Sequence, residues 1–174
     1  MDLSDVIRNV PDFPKAGVQF KDITTLVLHP QAFAQVIDVF AERYETNKPD
    51  AILAVESRGF VFGGALAVRL GLPFIMARKP GKLPADTLKE SFDLEYGSDS
   101  IEIHEGAVTP GWRVLILDDL LATGGTVTAA SRLVQRAGGT VQEAAFVIEL
   151  LPLGGREALA PLPVFSQITF HVDE

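Results

Sequence analysis

Cysteine is absent from the 174 residues, which removes any disulfide frame and any thiolate-held zinc or iron–sulfur centre. Histidine is scarce: His29, His104 and His171 are scattered, a poor basis for an imidazole metal site. No stretch approaches the roughly 20 consecutive apolar residues of a membrane span. The opening MDLSDVIRNV has early acids and lacks the apolar core and small-residue cleavage site of a secretory leader, so a cytoplasmic protein is expected. Basic residues are in deficit, 15 Lys and Arg against 23 Asp and Glu. The resulting formal charge of −8 argues against general binding to nucleic acid or anionic membrane. Repeats and low-complexity tracts are missing too, which excludes solenoids and linkers. What remains is a chain of 47% hydrophobic content whose apolar runs return regularly, long enough for one domain with a sizeable core.

Those runs alternate between strand and helix character. Residues 30–45 place Phe33, Val36, Ile37 and Phe40 at helical spacing behind Pro30. The run 51–55, AILAV, reads as a buried parallel strand, 61–71 as a helix ending at Gly71, and 73–77 as the next strand. About 35 residues then precede the strand 114–117, far more than an ordinary connection. Within them, FDLEY and IEIHE alternate apolar with polar residues around Gly97-Ser98-Asp99, the pattern of a protruding β-hairpin. A helix over 126–139, with Ala129, Leu133 and Val134 inward and Gly138 at its cap, precedes a buried strand over 144–150. The fold class is therefore α/β, a mostly parallel twisted sheet flanked by helices. Ligands of such sheets bind beyond the strand carboxyl ends.

The stretch VLILDDLLATGGT, 114–126, puts chemistry at that edge. Asp118 and Asp119 repel each other and favour neither strand nor helix, so local folding does not account for them. The next turn does. Ala122, Thr123, Gly124, Gly125 and Thr126 can aim backbone N–H groups into one concavity at a helix N-terminus, with two hydroxyls beside them. That is a phosphate cradle, and a carboxylate pair next to it suits two neighbouring hydroxyls. A ribose 5-phosphate satisfies both. Neither a P-loop nor a GxGxxG turn is present. A second candidate anion site is the turn ESRGF, 56–60, where the Arg58 fork suits paired phosphate oxygens. Arg78, Lys79 and Lys82 surround a Pro-Gly turn and form the clearest basic cluster.

The 114–126 stretch closely resembles the phosphoribosyl pyrophosphate signature of the type I phosphoribosyltransferases. GVQFKDIT at 17–24, ESRGF at 56–60, RKPGKLP at 78–84 and LEYG at 94–97 resemble further family segments in the same order. Lys21 and Pro80 depart from the pattern, standing where arginine is common in the family. The resemblance implies one domain over 1–174, with a base-binding hood formed by 1–30 and the C-terminal part, and a mobile catalytic loop over 78–104. It implies transfer of phosphoribosyl from phosphoribosyl pyrophosphate to adenine, giving AMP and pyrophosphate. Magnesium would be held through substrate and water rather than by direct protein ligands, and a homodimer is expected. Glu56, Ser57 and Arg58 would hold the pyrophosphate, with a cis peptide at Glu56–Ser57. Arg78, Lys79 and Lys82 would close on it, and Glu95, Tyr96 and Arg58 would act at the reacting centre. Gln19, Phe20, Lys21 and Leu150 would receive the adenine. Two alternatives stay open: the same chemistry on hypoxanthine, guanine, xanthine or orotate, and a sensor of phosphoribosyl pyrophosphate without turnover.

Overall fold

All five residues of Ala51–Val55 are buried, which a strand achieves only with apolar layers on both its faces. The computed structural model describes residues 1–94 and 96–171. A 3-10 turn at Leu3–Val6 leads into a short antiparallel ribbon, β1 (Arg8–Pro11) and β2 (Gln19–Asp22), followed by helices α1 (Thr24–Leu28) and α2 (Pro30–Glu45). Then come β3 (Ala51–Val55), α3 (Arg58–Leu70), β4 (Phe74–Ala77) and the hairpin β5 (Thr87–Asp93) and β6 (Ser98–His104). The chain continues through β7 (Arg113–Leu121), α4 (Gly125–Arg136), β8 (Thr140–Leu150), α5 (Gly155–Leu159) and β9 (Val164–Phe170). The central sheet is parallel throughout, in the order β4-β3-β7-β8-β9.

Successive sheet residues divide between two cores. Ile52, Leu115, Leu117, Ala145 and Val147 pack with Val36, Phe40, Phe62 and Leu66 of α2 and α3. Their neighbours Leu53, Val114, Ile116 and Phe146 pack with Val127, Ala130, Leu133 and Val134 of α4 and with Ile101 and Ile103 of β6. Each fully buried Val, Leu, Ile or Phe contributes about 1.5–3 kcal/mol relative to exposure. Gly63 lets α3 lie close to the sheet: a Cβ there would stand 2.6 Å from the Ala54 Cβ.

Several boundaries differ from the sequence expectation. In α2 the buried stripe is Ala32, Val36, Phe40 and Tyr44, and Phe33 and Ile37 only flank it. At its last turn the Tyr44 hydroxyl donates to Glu143 Oε2 at 2.5 Å and Arg43 grips the same carboxylate, which anchors that end of the stripe. Helix α3 begins at Arg58, three residues before the expected 61, so Arg58 sits on its first turn rather than in a free loop. The hairpin pairs Thr87–Asp93 with Ser98–His104, earlier than FDLEY with IEIHE, and has Gly97 at φ 87° just before its second strand. It does not merely protrude: Leu88, Phe92, Ile101 and Ile103 join the core beneath α4, which fixes the register. Strand β7 runs on through both aspartates to Leu121 instead of ending at 117, because its ladder with β8 continues to the pair Leu121 and Glu149. Strand β9 and the β1–β2 ribbon have no clear periodic signal and were not expected.

Candidate functional site

Strand β3 ends at Val55 while β7, its neighbour, continues past Leu117, so Asp118 and Asp119 lie beyond the end of β3 at the carboxyl edge of the sheet. Gly124, at φ 89°, then caps α4, and the N–H groups of the helix's first turn have no intrahelical partner. They border an 80 Å³ recess lined by Asp118 and by Leu120 through Val127. It adjoins a 380 Å³ cavity lined by Glu56, Ser57, Arg58, Lys79, Ile101, Asp118, Asp119, Ala122 and Thr126 among others. Two larger grooves, of 510 and 490 Å³, lie between α4 and residues 158–163 and between the N-terminus and β9. Neither touches the ends of β3 or β7, so size alone does not mark the chemistry.

The aspartates have unequal surroundings. Asp119 is 5% exposed, and its Oδ2 lies 2.6 Å from Arg58 Nε. Asp118 accepts the Asp119 N–H at 2.9 Å. Enclosure by the protein, and secondly the charge of Asp119, push the Asp118 carboxyl well above the usual carboxylate range. Gly59 makes room for it, since a Cβ there would stand 2.7 Å from Asp118 Oδ1. The Arg58 guanidinium on Asp119 offsets part of the negative charge of this strand end.

Across the cavity, the Glu56–Ser57 peptide is cis, as the resemblance implied. The Glu56 carboxylate points to the base of the long insertion, accepting the Lys79 N–H at 2.6 Å and lying 3.3 Å from Arg78 Nε. Arg78 is thus turned toward Glu56, with its backbone bridged to Glu102. The Lys79 ammonium reaches the cavity but is paired with Asp99 of β6, 5.8 Å from the Phe92 ring centroid. Lys82 is exposed, outside the cavity lining. The hairpin tip lies beside the cradle, for a Cβ added at Gly125 would stand 3.5 Å from Phe92 Cδ2 and 3.6 Å from the Asp93 oxygen. Tyr96 sits on that tip, 82% exposed, and Glu95 lies outside the described residues.

The residues assigned to the base are less closely gathered. Phe20 stands 5.6 Å from the Arg58 guanidinium carbon and meets Phe13 edge-on, so it borders the cleft through Arg58. The Gln19 side chain accepts from Asn9 at 2.8 Å. Lys21 alternates to the opposite side of the ribbon, buried with its ammonium 4.1 Å from the Phe170 centroid. Leu150 is half-buried against the α2 core. Sequence reasoning missed Ile101 in the cavity wall, and also Gly155 and Leu159, which pack on the loop at Ala122 and Gly124. The doubled glycine at 154–155 was their one visible signal.

A family model described as a phosphoribosyl transferase domain matches residues 22–161. A curated adenine phosphoribosyltransferase of Chloroflexus aurantiacus is 57% identical over 169 residues, covering 97% of this chain and 98% of that protein. The crystal structure of adenine phosphoribosyltransferase from Thermoanaerobacter pseudethanolicus, 50% identical, superposes with a TM-score of 0.94 over 97% of this chain and 98% of that one. The Saccharomyces cerevisiae enzyme, solved with adenine and an imino-altritol bisphosphate, is 40% identical with a TM-score of 0.90, covering 95% and 96%. Matching sequence and backbone over nearly its whole length, the chain belongs to the phosphoribosyl transferase family and groups with the adenine phosphoribosyltransferases.

Proposed function

We propose that the chain transfers the phosphoribosyl group of phosphoribosyl pyrophosphate to adenine, giving AMP and pyrophosphate. The observation that supports this best is the placement of two carboxyl groups and a helix-N-terminal recess on one strand end, Asp118 to Thr126. The N–H groups of Ala122–Thr126 and the hydroxyls of Thr123 and Thr126 hold the 5-phosphate. Asp118 and Asp119 accept from the ribose hydroxyls. Ser57, Arg58 and Lys79 meet the pyrophosphate, and Arg78 and Lys82 join them when the insertion closes. The C1–O bond breaks with its electron pair leaving on pyrophosphate, while the N9 lone pair of adenine forms the new C1–N9 bond. The N9 proton passes to Glu95, and Tyr96 covers the centre. Phe20 stacks on the base, Gln19 reads its amino edge through the backbone, Leu150 lies on the other face, and Lys21 steadies the ribbon from behind. Closing the insertion keeps water from the oxocarbenium-like sugar.

The donor set of the cleft, adjacent carboxyl groups and threonine hydroxyls, suits a hard cation held chiefly by substrate oxygens and water. Bound there, Mg²⁺ would neutralise charge on the leaving pyrophosphate. The chain works as one domain, with 1–30 and the C-terminal part as hood and 78–104 as closing loop. A homodimer fits the exposed Val61, Val68 and Met76 along α3 and β4, and a cytoplasmic setting fits the lack of cysteine. Purified protein should form AMP from adenine and phosphoribosyl pyrophosphate only with Mg²⁺, and faster than from any other base by about tenfold or more. Turnover absent under those conditions, or a preference for another base, would refute the assignment.

A further inference from the structure

Helix α5 is only five residues long, yet it is bound firmly on two sides. On one side, Arg156 donates to Glu149 at 3.0 and 2.5 Å, to the Val164 carbonyl at 2.7 Å and to Ser166 Oγ at 3.1 Å. Ser166 in turn donates to the same carboxylate. Glu149 is 2% exposed, so the bracket ties α5 to β8 and β9 through a group that water hardly reaches. A bidentate pair on so buried a carboxylate is strongly directional. On its other side, α5 lies against the loop that builds the phosphate recess. A Cβ added at Gly155 would stand 2.4 Å from the Ala122 carbonyl oxygen, and one at Gly124 would stand 3.3 Å from Leu159 Cγ. Backbone therefore rests on backbone where Gly155 meets Ala122 and Gly124, with the Leu121 and Leu159 side chains packed beside the contact. Among the described residues, the one side-chain hydrogen bond that loop 122–124 receives comes from Thr128, within α4 itself. Its outer flank is positioned by α5.

We infer that Arg156, fixed by Glu149 and Ser166, is a positioning residue that sets the phosphate loop through Gly155 and Leu159 without touching the substrate. This rests on the reading of that loop as the 5-phosphate cradle. A displacement of the order of 1 Å in such a loop weakens what it holds. Charge alone does not explain the arrangement, because a lysine at 156 would keep the charge but lacks the fork that spans Glu149, Ser166 and the Val164 carbonyl. A built-in control lies at the other end of β8. There Glu143 forms a comparable pair with Arg43, remote from the loop.

The test is calorimetric binding of ribose 5-phosphate and of inorganic pyrophosphate to the full chain and to Arg156→Lys, Arg156→Ala and Glu143→Gln. Both Arg156 variants should bind ribose 5-phosphate about tenfold more weakly, with pyrophosphate affinity within about twofold of the unaltered chain. Glu143→Gln should lower Tm while leaving both affinities in place. Should Arg156→Ala fail to fold, Arg156→Lys still decides. Unchanged ribose 5-phosphate affinity in the Arg156 variants would overturn the inference, as would an equal loss in Glu143→Gln, which would mark general destabilisation. Failure of the unaltered chain to bind ribose 5-phosphate would remove the cradle reading itself, and the inference with it.

Discussion

Arg58 Nε stands 2.6 Å from Asp119 Oδ2, so the cation assigned to the pyrophosphate and a carboxylate assigned to the ribose neutralise each other across the cleft. The two are not equally placed: Asp119 is buried, whereas the Arg58 side chain is 47% exposed and free to swing toward an incoming anion. Arg58→Ala should lower turnover by about 10²-fold through loss of charge stabilisation at the leaving group. It should also destabilise the fold, because Asp119 is left buried without its partner. Steady-state kinetics with a thermal melt checks both; full activity would exclude Arg58 from the chemistry.

Asp118→Asn and Asp119→Asn should impair ribose recognition more than adenine binding, since an amide keeps the shape but loses acceptor strength. Asp119→Asn should show the larger effect, because it also releases Arg58. Calorimetry with phosphoribosyl pyrophosphate is the measurement, and wild-type affinity in both variants would contradict the diol assignment.

Gly59→Ala is a steric probe of the same contact. The added Cβ would stand 2.7 Å from Asp118 Oδ1 and 3.4 Å from the Leu117 carbonyl oxygen, so the helix or the carboxylate must shift. Overpacking of this kind destabilises by about 1–3 kcal/mol. A fall in Tm with weaker phosphoribosyl pyrophosphate binding is expected; an unchanged Tm would show that the close approach of Gly59 to Asp118 does not contribute to stability.

The strand–turn–helix at 114–126 was legible because its signal is local: strand, acids, glycines and helix follow one another there. The buried runs AILAV and AAFVIEL were legible for the same reason, as strands hidden on both faces need no alternation. Tertiary contacts hid the rest. The direction of Lys21 depends on Phe170, far along the chain, and the start of α3 depends on the turn after β3. The hairpin register depends on α4, whose Val127 and Leu133 pack with Ile101 and Ile103. Asp118 and Asp119 read as strand breakers until β8 supplies the ladder that carries β7 through them.

Lys79 gives a fourth test, because its pairing with Asp99 competes with any pyrophosphate in the cleft. The Lys79 ammonium, first, and the Ser100 N–H hold the Asp99 carboxyl below its ordinary range. Asp99→Asn should free the ammonium and lower KM for phosphoribosyl pyrophosphate severalfold at low salt, with less change at high salt. A raised KM would instead show that Asp99 orients Lys79 toward the ligand.

The ribbon that carries Gln19 and Phe20 is closed by Arg8, which donates twice to Asp22 while the Thr24 N–H binds the other carboxylate oxygen at 2.9 Å. These bonds, that from Arg8 foremost, hold the Asp22 carboxyl down from 3.8 to about 2. A depressed carboxylate contributes stability that is whole above its unfolded value and is lost as pH falls through the folded one. The contribution should therefore be complete above about pH 4 and gone below about pH 2, and salt should reduce it because Arg8 is 61% exposed. Urea unfolding at a series of acid pH values compares the unaltered chain with Asp22→Asn, which has no carboxyl to titrate. The stability difference between them should shrink across that window; equal slopes would mean the ion pair does not hold the ribbon. If the ribbon does present Phe20 to the base, adenine affinity should weaken in Asp22→Asn even at neutral pH, since Arg8 and Asp22 pair in the same ribbon that carries Phe20.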